Sequence, residues 1–145
     1  MHYTLVRRWL YTTLATAAIL ILSLAPIPDN PPLGDVPFID KWVHFVMYGA
    51  LVSAAWLDRK TAQPQNRKAK RPQNHITAKL QNRITFALLA LLYAIAIGAL
   101  TEVLQSLTPY RNGDWIDFLA DCFGSLLATL LCLPLTLWTE SKEKR

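Results

Sequence analysis

Four long runs of apolar residues, separated by polar segments, dominate the sequence. They cover residues 9–25, 41–57, 84–106 and 115–138, and each approaches or exceeds the roughly 20 residues that a helix needs to cross a bilayer. A segment in hydrocarbon must satisfy its backbone hydrogen bonds internally, which favours helices. The pattern predicts an all-α fold, with residues 1–145 forming a single domain of four membrane-spanning helices.

The first run allows a second interpretation. Ser23 and Ala25 form the small-residue pattern of a signal-peptide cleavage site. Pro26 would then follow the cut directly, where proline is poorly tolerated, and the run is long for a signal-peptide core. We therefore expect an uncleaved spanning helix.

The basic residues are distributed unevenly between the connections. Of the 15 Lys and Arg residues, thirteen lie before the first run, in the loop 58–83 or in the C-terminal tail, and the remaining two are Lys41 and Arg111. Cytoplasmic loops carry the excess of Lys and Arg, so both termini and the loop 58–83 are predicted to be cytoplasmic. The loop is either a solvated linker or a contact for anionic lipid.

Composition and cysteine content narrow the expected partners. A net charge of +5 would suggest nucleic acid, but here the charge lies between apolar runs, so membrane lipid is the expected partner and nucleic acid is not. Cys122 and Cys132 are ten residues apart in one run, which is about 15 Å along a helix and too far for a disulfide. Neither has a ligand partner at metal-binding spacing, and the sequence predicts no cofactor and no metal.

Polar residues recur at helical spacing where the second run starts, the third ends and the fourth starts. In the predicted topology all three places lie at the outer face. An ionised side chain facing lipid costs about 2.5–3.5 kcal/mol at the helix centre, so these residues are expected to face one another in a pocket. The predicted pocket contains Asp40, Lys41, His44, Tyr48, Glu102, Gln105, Arg111, Asp117 and Asp121.

Some polar residues at these positions have simpler explanations. Asp114 directly precedes the fourth run, a position typical of a helix N-cap. Asp117 lies in the first turn, where a negative charge complements the helix dipole. Lys41 could extend its ammonium group to the headgroups. Glu102 and Asp121 lie deepest and have no capping role, which makes them the strongest candidates for a site.

Together these stretches resemble the VanZ-like family. Its pattern is Asp-Lys-x-x-His-x-x-x-Tyr at the start of one helix, Glu-x-x-Gln at the end of the next, a short turn with Arg, and Asp-x-x-x-Asn with Gly on the last. The resemblance covers residues 38 to 132, and the matching residues are Asp40, Lys41, His44, Tyr48, Glu102, Gln105, Arg111, Asp117, Asp121 and Gly124.

The resemblance implies a protein of the bacterial cytoplasmic membrane. The founding member of the family is associated with resistance to the glycopeptide antibiotic teicoplanin. Asp121 departs from the pattern, because the family usually has Asn there. A neutral role at this position would require Asp121 to be protonated, which burial favours.

Three functions remain open from the sequence. The preferred one is a cell-envelope protein whose outer pocket binds a lipid headgroup or a cell-wall-related glycan or peptide. The second is a membrane-embedded enzyme that uses His44 and the carboxylates for acid–base or metal-assisted chemistry. The third is a structural or partner-binding protein in which the polar residues join the helices, at about 0.6 kcal/mol per contact. The sequence does not determine the oligomeric state.

Overall fold

A computed structural model describes residues 9–26, 37–62, 75–111 and 113–142, which form four helices and no strand. The helices are α1 (Leu10–Leu24), α2 (Ile39–Ala62), α3 (His75–Ser106) and α4 (Trp115–Lys142). The all-α prediction is confirmed. The N-terminal arginines, the middle of the basic loop and the last three residues lie outside the described residues.

Helices α2 and α3 extend past their apolar runs, so the segment between them is shorter than the predicted loop 58–83. The apolar runs mark the parts of a helix suited to hydrocarbon, whereas the polar ends are held by other contacts. The Arg59 guanidinium lies 4.4 Å from the centre of the Phe86 ring. It also donates a hydrogen bond of 3.2 Å to the Asn82 carbonyl. These contacts join the extended ends of the two helices.

Two stretches of the described helices, Leu80–Ser106 and Trp115–Leu135, are long and apolar enough to cross a membrane. Helix α1 is apolar but has 15 residues, a length of about 22 Å. Helix α2 has 24 residues and carries charged side chains at both ends. Four crossings and the orientation therefore stay predictions.

The bundle exposes apolar side chains and buries polar ones. Leu89, Leu92 and Phe123 lie on outward faces, each more than half exposed, while Thr101 and Ser125 are fully buried. Large exposed apolar faces are rare on soluble monomers and suit contact with lipid. The apolar core is small and consists of Ile19, Tyr48, Leu51, Val52, Trp56, Ala87, Ala94 and Ala128.

Helices α2 and α4 form the most extensive helix contact, and they meet through two glycines. A Cβ atom at Gly49 would lie 3.4 Å from the Gly124 carbonyl oxygen, whereas a Cβ at Gly124 would collide with the Phe45 carbonyl. Small residues allow helices to approach closely. This approach places the polar residues at the start of α2 against those at the start of α4.

Helix α1 is held by hydrogen bonds at both ends. The buried Asp58 carboxylate accepts the Tyr11 N–H at 3.1 Å, the Thr12 N–H at 2.8 Å and the Thr12 hydroxyl at 2.7 Å. At the other end, the Gln105 amide donates to the Ser23 carbonyl at 2.9 Å. These bonds satisfy backbone groups that a helix leaves unpaired at its ends, so α1 packs as a member of the bundle.

Candidate functional site

Ionisable side chains from α2, α3, α4 and the α3–α4 connection meet at one end of the bundle. We call this group the polar cluster. Because the start of α2, the end of α3 and the start of α4 share this end, the structure brings together most of the residues predicted for the pocket. The polar cluster consists of Asp40, Lys41, His44, Glu102, Arg111, Asp114, Asp117 and Asp121.

The deepest part of the polar cluster is a contact between His44 and Asp121. The His44 Nδ1 atom lies 2.9 Å from Asp121 Oδ1, in a hydrogen bond between two buried side chains. The Tyr48 ring stacks on the imidazole with centroids 6.4 Å apart, and its hydroxyl is 2.9 Å from that of Thr101. Glu102 Oε1 lies 4.0 Å from His44 Nδ1. Side chains of three helices thus surround the imidazole.

The next layer is an ion pair of one lysine with two carboxylates. Lys41 Nζ lies 2.9 Å from Asp114 Oδ2 and 2.8 Å from Asp117 Oδ1. Arg111 Nη1 is 3.7 Å from Asp40 Oδ1, and the Asp40 side chain is 43% exposed. Asp40 therefore lies at the rim of the polar cluster, with the mostly buried Arg111 beside it.

Asp114 is the N-cap of α4, as the sequence predicts. Its carboxylate accepts the Ile116 N–H at 2.9 Å, and its own N–H donates to Glu102 Oε2 at 2.7 Å. The pKa of Asp114 is lowered from its usual value, mainly by the hydrogen bond from the Ile116 N–H and next by the hydrogen bond from the Lys41 ammonium group. A Cβ at Gly113 would lie 2.7 Å from the Glu102 carbonyl oxygen, so glycine is needed for this close turn.

Four buried polar atoms of the polar cluster have no hydrogen-bond partner among the described residues: Glu102 Oε1, Asp121 Oδ2, Arg111 Nε and Asp117 Oδ1. Asp117 Oδ1 lies 2.8 Å from Lys41 Nζ in an ion pair, which leaves Glu102 Oε1, Asp121 Oδ2 and Arg111 Nε. A buried donor or acceptor without a partner costs about 1–3 kcal/mol, and most such atoms in folded proteins are paired. One donor and two acceptors are therefore available for contacts beyond those within the described chain.

Two predicted residues lie beside the polar cluster. Tyr48 is one turn deeper than His44 and contacts it through the ring stack. Gln105 shares a face of α3 with Glu102, but its amide is committed to the Ser23 carbonyl of α1. The helical spacing of Glu102 and Gln105 on α3 does not predict this hydrogen bond, because it gives no information on where α1 packs.

Two polar residues important for this arrangement were not singled out from the sequence. The Thr101 hydroxyl lies within hydrogen-bond distance of the Tyr48 hydroxyl. In the sequence, the indication of this role was a hydroxyl residue directly before Glu102 in an apolar run. Asp58 holds the N-terminus of α1 at the opposite end of the bundle. Its signal was its place as the one acidic residue in the segment 58–83.

A separate apolar cavity of about 320 Å³ lies toward the opposite end of the bundle. Its walls come from α1, α2 and α3 and include Trp9, Ala55, Phe86 and Leu89. The residues that line it include no Asp, Glu, His, Cys, Lys or Arg side chain. It therefore offers no acid–base or ligand chemistry comparable to that of the polar cluster.

Among the described residues, two overlapping sets of side chains in the polar cluster bring possible metal-ligand atoms close together. One is Asp40, His44 and Asp117, and the other is His44, Glu102 and Asp121. In each set the candidate ligand atoms lie within 4.8 Å of one another. His44 belongs to both sets, which places it at the centre of the chemistry available here.

Comparison with known proteins gives one family match. The family model described as VanZ/LLP1 matches residues 3–138. No curated protein and no solved structure matches the chain. The matched range includes all the residues that contribute to the polar cluster.

Proposed function

The chain belongs to the VanZ/LLP1 family, and from this premise we propose that its polar cluster binds a polar component of the bacterial cell envelope. Membership of this family supports the assignment of the chain as a membrane protein. In the proposal it is a multi-pass protein of the cytoplasmic membrane with the polar cluster at the outer face. The ligand is a lipid headgroup or a cell-wall-related glycan or peptide. The observation that carries the proposal is the set of unpartnered buried polar atoms at Glu102, Asp121 and Arg111.

The unpartnered atoms define which ligand groups fit. Arg111 Nε can donate to a carbonyl, carboxylate or phosphate oxygen, while Glu102 Oε1 and Asp121 Oδ2 can accept from hydroxyl or amine groups. Lys41, which the sequence places in the predicted pocket, is held between Asp114 and Asp117. Envelope lipids, glycans and peptides present both donors and acceptors, so they match this mixed set.

The rim of the polar cluster suits a ligand from the membrane–water interface. Trp42 and Trp115, near the starts of α2 and α4, are 59% and 70% exposed. Tryptophan is enriched where headgroups meet hydrocarbon. In the proposed orientation these residues place Asp40 and Arg111 at headgroup level and His44 deeper, so a headgroup or an attached sugar could enter from the side of the rim.

The test is identification of what copurifies with the protein. The wild type, Glu102→Gln and Arg111→Gln are purified in the same detergent, and bound components are measured by native mass spectrometry. Each variant loses a charged contact, which is worth about 1.5–3 kcal/mol. We expect an envelope component on the wild type and at least tenfold less on both variants.

Tyr93→Phe is the control, because it removes a hydroxyl that bonds Thr16 toward the other end of the bundle. It should retain the wild-type amount of the bound component. Identical bound material on the wild type, the control and both site variants would contradict the proposal.

A second candidate function, an enzyme, is favoured by the 2.9 Å contact of His44 with Asp121 and by Glu102 nearby. A histidine oriented by a carboxylate is a common general base. If the protein is an enzyme, a copurified component incubated with it is converted to a product, and His44→Gln slows this by about 10²–10⁴-fold. Recovery of the component unchanged from the wild type would exclude this candidate for that compound.

We extend the proposal to glycopeptide tolerance, which the family resemblance implies. Binding of a cell-wall-related ligand at the outer face would alter how a glycopeptide meets its target. Cells that express the wild type should then grow at higher teicoplanin concentrations than cells that express Glu102→Gln at the same level. Equal growth of the two strains would remove tolerance from the proposal.

A further inference from the structure

The polar cluster contains more acidic than basic side chains. It has five carboxylates, Asp40, Glu102, Asp114, Asp117 and Asp121, against Lys41, Arg111 and the imidazole of His44. Lys41 contacts Asp114 and Asp117, and Arg111 contacts Asp40. Among the described residues, Glu102 and Asp121 form no ion pair with a lysine or arginine. The excess of acceptors is therefore concentrated around His44.

The atoms around His44 are close to the spacing of metal ligands. His44 Nδ1 lies 2.9 Å from Asp121 Oδ1 and 4.0 Å from Glu102 Oε1. Nitrogen and oxygen ligands of a tetrahedral zinc ion sit about 2.1 Å from the metal and hence about 3.4 Å apart. A lengthening of the first distance and a shortening of the second, each by about 0.5 Å, would bring both carboxylates to zinc-ligand spacing from His44.

The Asp121 carboxylate gives an independent reason to expect a cation. Its side chain is 0% exposed, and its Oδ2 atom has no hydrogen-bond partner among the described residues. Buried carboxylates are normally paired or bound to a metal, because an isolated buried charge is very costly.

Neighbouring groups orient the three side chains. Glu102 is fixed through its other oxygen, Oε2, which accepts the Asp114 N–H at 2.7 Å. His44 is fixed by the stacked Tyr48 ring. Contacts of this kind hold metal ligands in place and are part of the design of metal sites.

We propose that His44, Glu102 and Asp121 bind a divalent transition-metal ion, with Zn²⁺ as the expected ion. One imidazole and two carboxylates suit zinc, and three protein ligands leave a coordination position for another group. The proposal differs from the expectation from sequence that the protein binds no metal. It rests on the proposed function, because the ion would let a net-acidic site hold an anionic group of the envelope component.

The test is zinc binding to the purified full-length chain. Protein treated with a chelator is titrated with Zn²⁺ by calorimetry, and bound zinc is counted by elemental analysis after dialysis. The wild type should bind one zinc ion per chain. Asp121→Asn and His44→Gln should lower the affinity by roughly a hundredfold.

Asp58→Asn is the matched control, because it is the same chemical change at the opposite end of the bundle, where Asp58 contacts the start of α1. It should bind zinc as the wild type does. If Asp117→Asn lost zinc binding while Asp121→Asn retained it, the assignment would be overturned. The ligands would then be Asp40, His44 and Asp117.

Cobalt offers a measurement that needs no variant. Co²⁺ added to the chelator-treated wild type should give the visible absorption of a tetrahedral site, and Zn²⁺ should displace it. Absence of both zinc binding and this absorption overturns the metal site. If the protein binds no metal but an envelope component still copurifies with it, the proposed function stands and the metal site does not. If the protein binds zinc but no envelope component copurifies, the metal site stands and the proposed function does not.

Discussion

Glycine residues control how closely the helices that carry the polar cluster approach one another. A Cβ at Gly98 on α3 would lie 2.9 Å from Asp121 Oδ2. A Cβ at Gly124 on α4 would overlap the Phe45 carbonyl of α2. The neighbours at Gly124 are backbone atoms, which cannot move without shifting a helix. A Cβ atom added at either glycine by substitution would therefore disturb the contacts of Asp121.

We predict that Gly124→Ala destabilises the protein by about 1–3 kcal/mol, because the added carbon forces α2 and α4 apart. Gly49→Ala is its control on the facing helix, where the nearest atom is 3.4 Å away. The control should change stability by less than about 1 kcal/mol, since alanine also favours the helix. Thermal unfolding in detergent measures both variants. Equal midpoints for the two would contradict this account of the helix contact.

Where the signal is local, the sequence predicted which residues of the polar cluster lie near one another. Asp114 was identified as an N-cap because a cap depends on a few neighbouring residues. His44, Glu102 and Asp121 were placed together because charges in apolar helices must avoid lipid. Gln105 was placed in the same pocket, but its amide contacts Ser23, and no local pattern reveals that long-range contact.

At the level of helices, the attachment of α1 depends on one buried carboxylate. Asp58 of α2 accepts two backbone N–H groups and a hydroxyl at the start of α1. A negative charge at a helix N-terminus also complements the helix dipole. Helix α1 is short and apolar, so this bond set fixes its position against α2.

We predict that Asp58→Ala lowers the free energy of unfolding by about 3 kcal/mol, because it removes charged hydrogen bonds and the cap of α1. Asp58→Asn keeps an acceptor oxygen and should lose less. Hydrogen exchange at residues 10–14, together with the thermal midpoint, measures the effect. Ser53→Ala, which removes a bond within α2, should leave exchange in α1 unchanged. Unchanged exchange in Asp58→Ala would show that packing alone holds α1.

The sequence predicted the existence of all four helices but not all of their ends. Apolar runs predict the parts of a helix that suit hydrocarbon, and these parts agree with α1 to α4. Residues 58–62 and 75–83 are helical as well, although they are polar. Their conformation depends on tertiary contacts such as Arg59 with Phe86, which composition does not show.

At the level of the whole molecule, successive helices alternate in direction. The end of α1, the start of α2, the end of α3 and the start of α4 share one end of the bundle, as the contacts of Gln105, Lys41 and Asp114 show. This arrangement is the one that four crossings would produce. Which end faces the cytoplasm depends on the distribution of Lys and Arg, and that inference is open to direct measurement.

We predict that both termini and the basic loop are cytoplasmic. Single cysteines are introduced at Asn30, Gln65, Asn112 and Ser141 after Cys122 and Cys132 are replaced by alanine. A membrane-impermeant maleimide should label the cysteines at 30 and 112 in cells whose outer surface it can reach. Those at 65 and 141 should react only after lysis. Labelling of position 65 in intact cells would reverse the orientation.

The central claim is that the polar cluster serves ligand binding and does not merely join the helices. The double variant Glu102→Gln with Asp117→Asn tests it most directly. The amide introduced by Glu102→Gln can still accept the Asp114 N–H. Lys41 keeps its ion pair with Asp114, so the double variant retains both of these contacts between the helices. The measurement is the thermal midpoint in detergent of the inserted double variant against the wild type.

Functional sites commonly hold charged arrangements at a cost to stability. We therefore predict an equal or higher midpoint for the double variant, together with loss of the copurified envelope component. A large fall in the midpoint, with the variant still inserted in the membrane, would show that these charges hold the bundle together and would contradict the binding-site account.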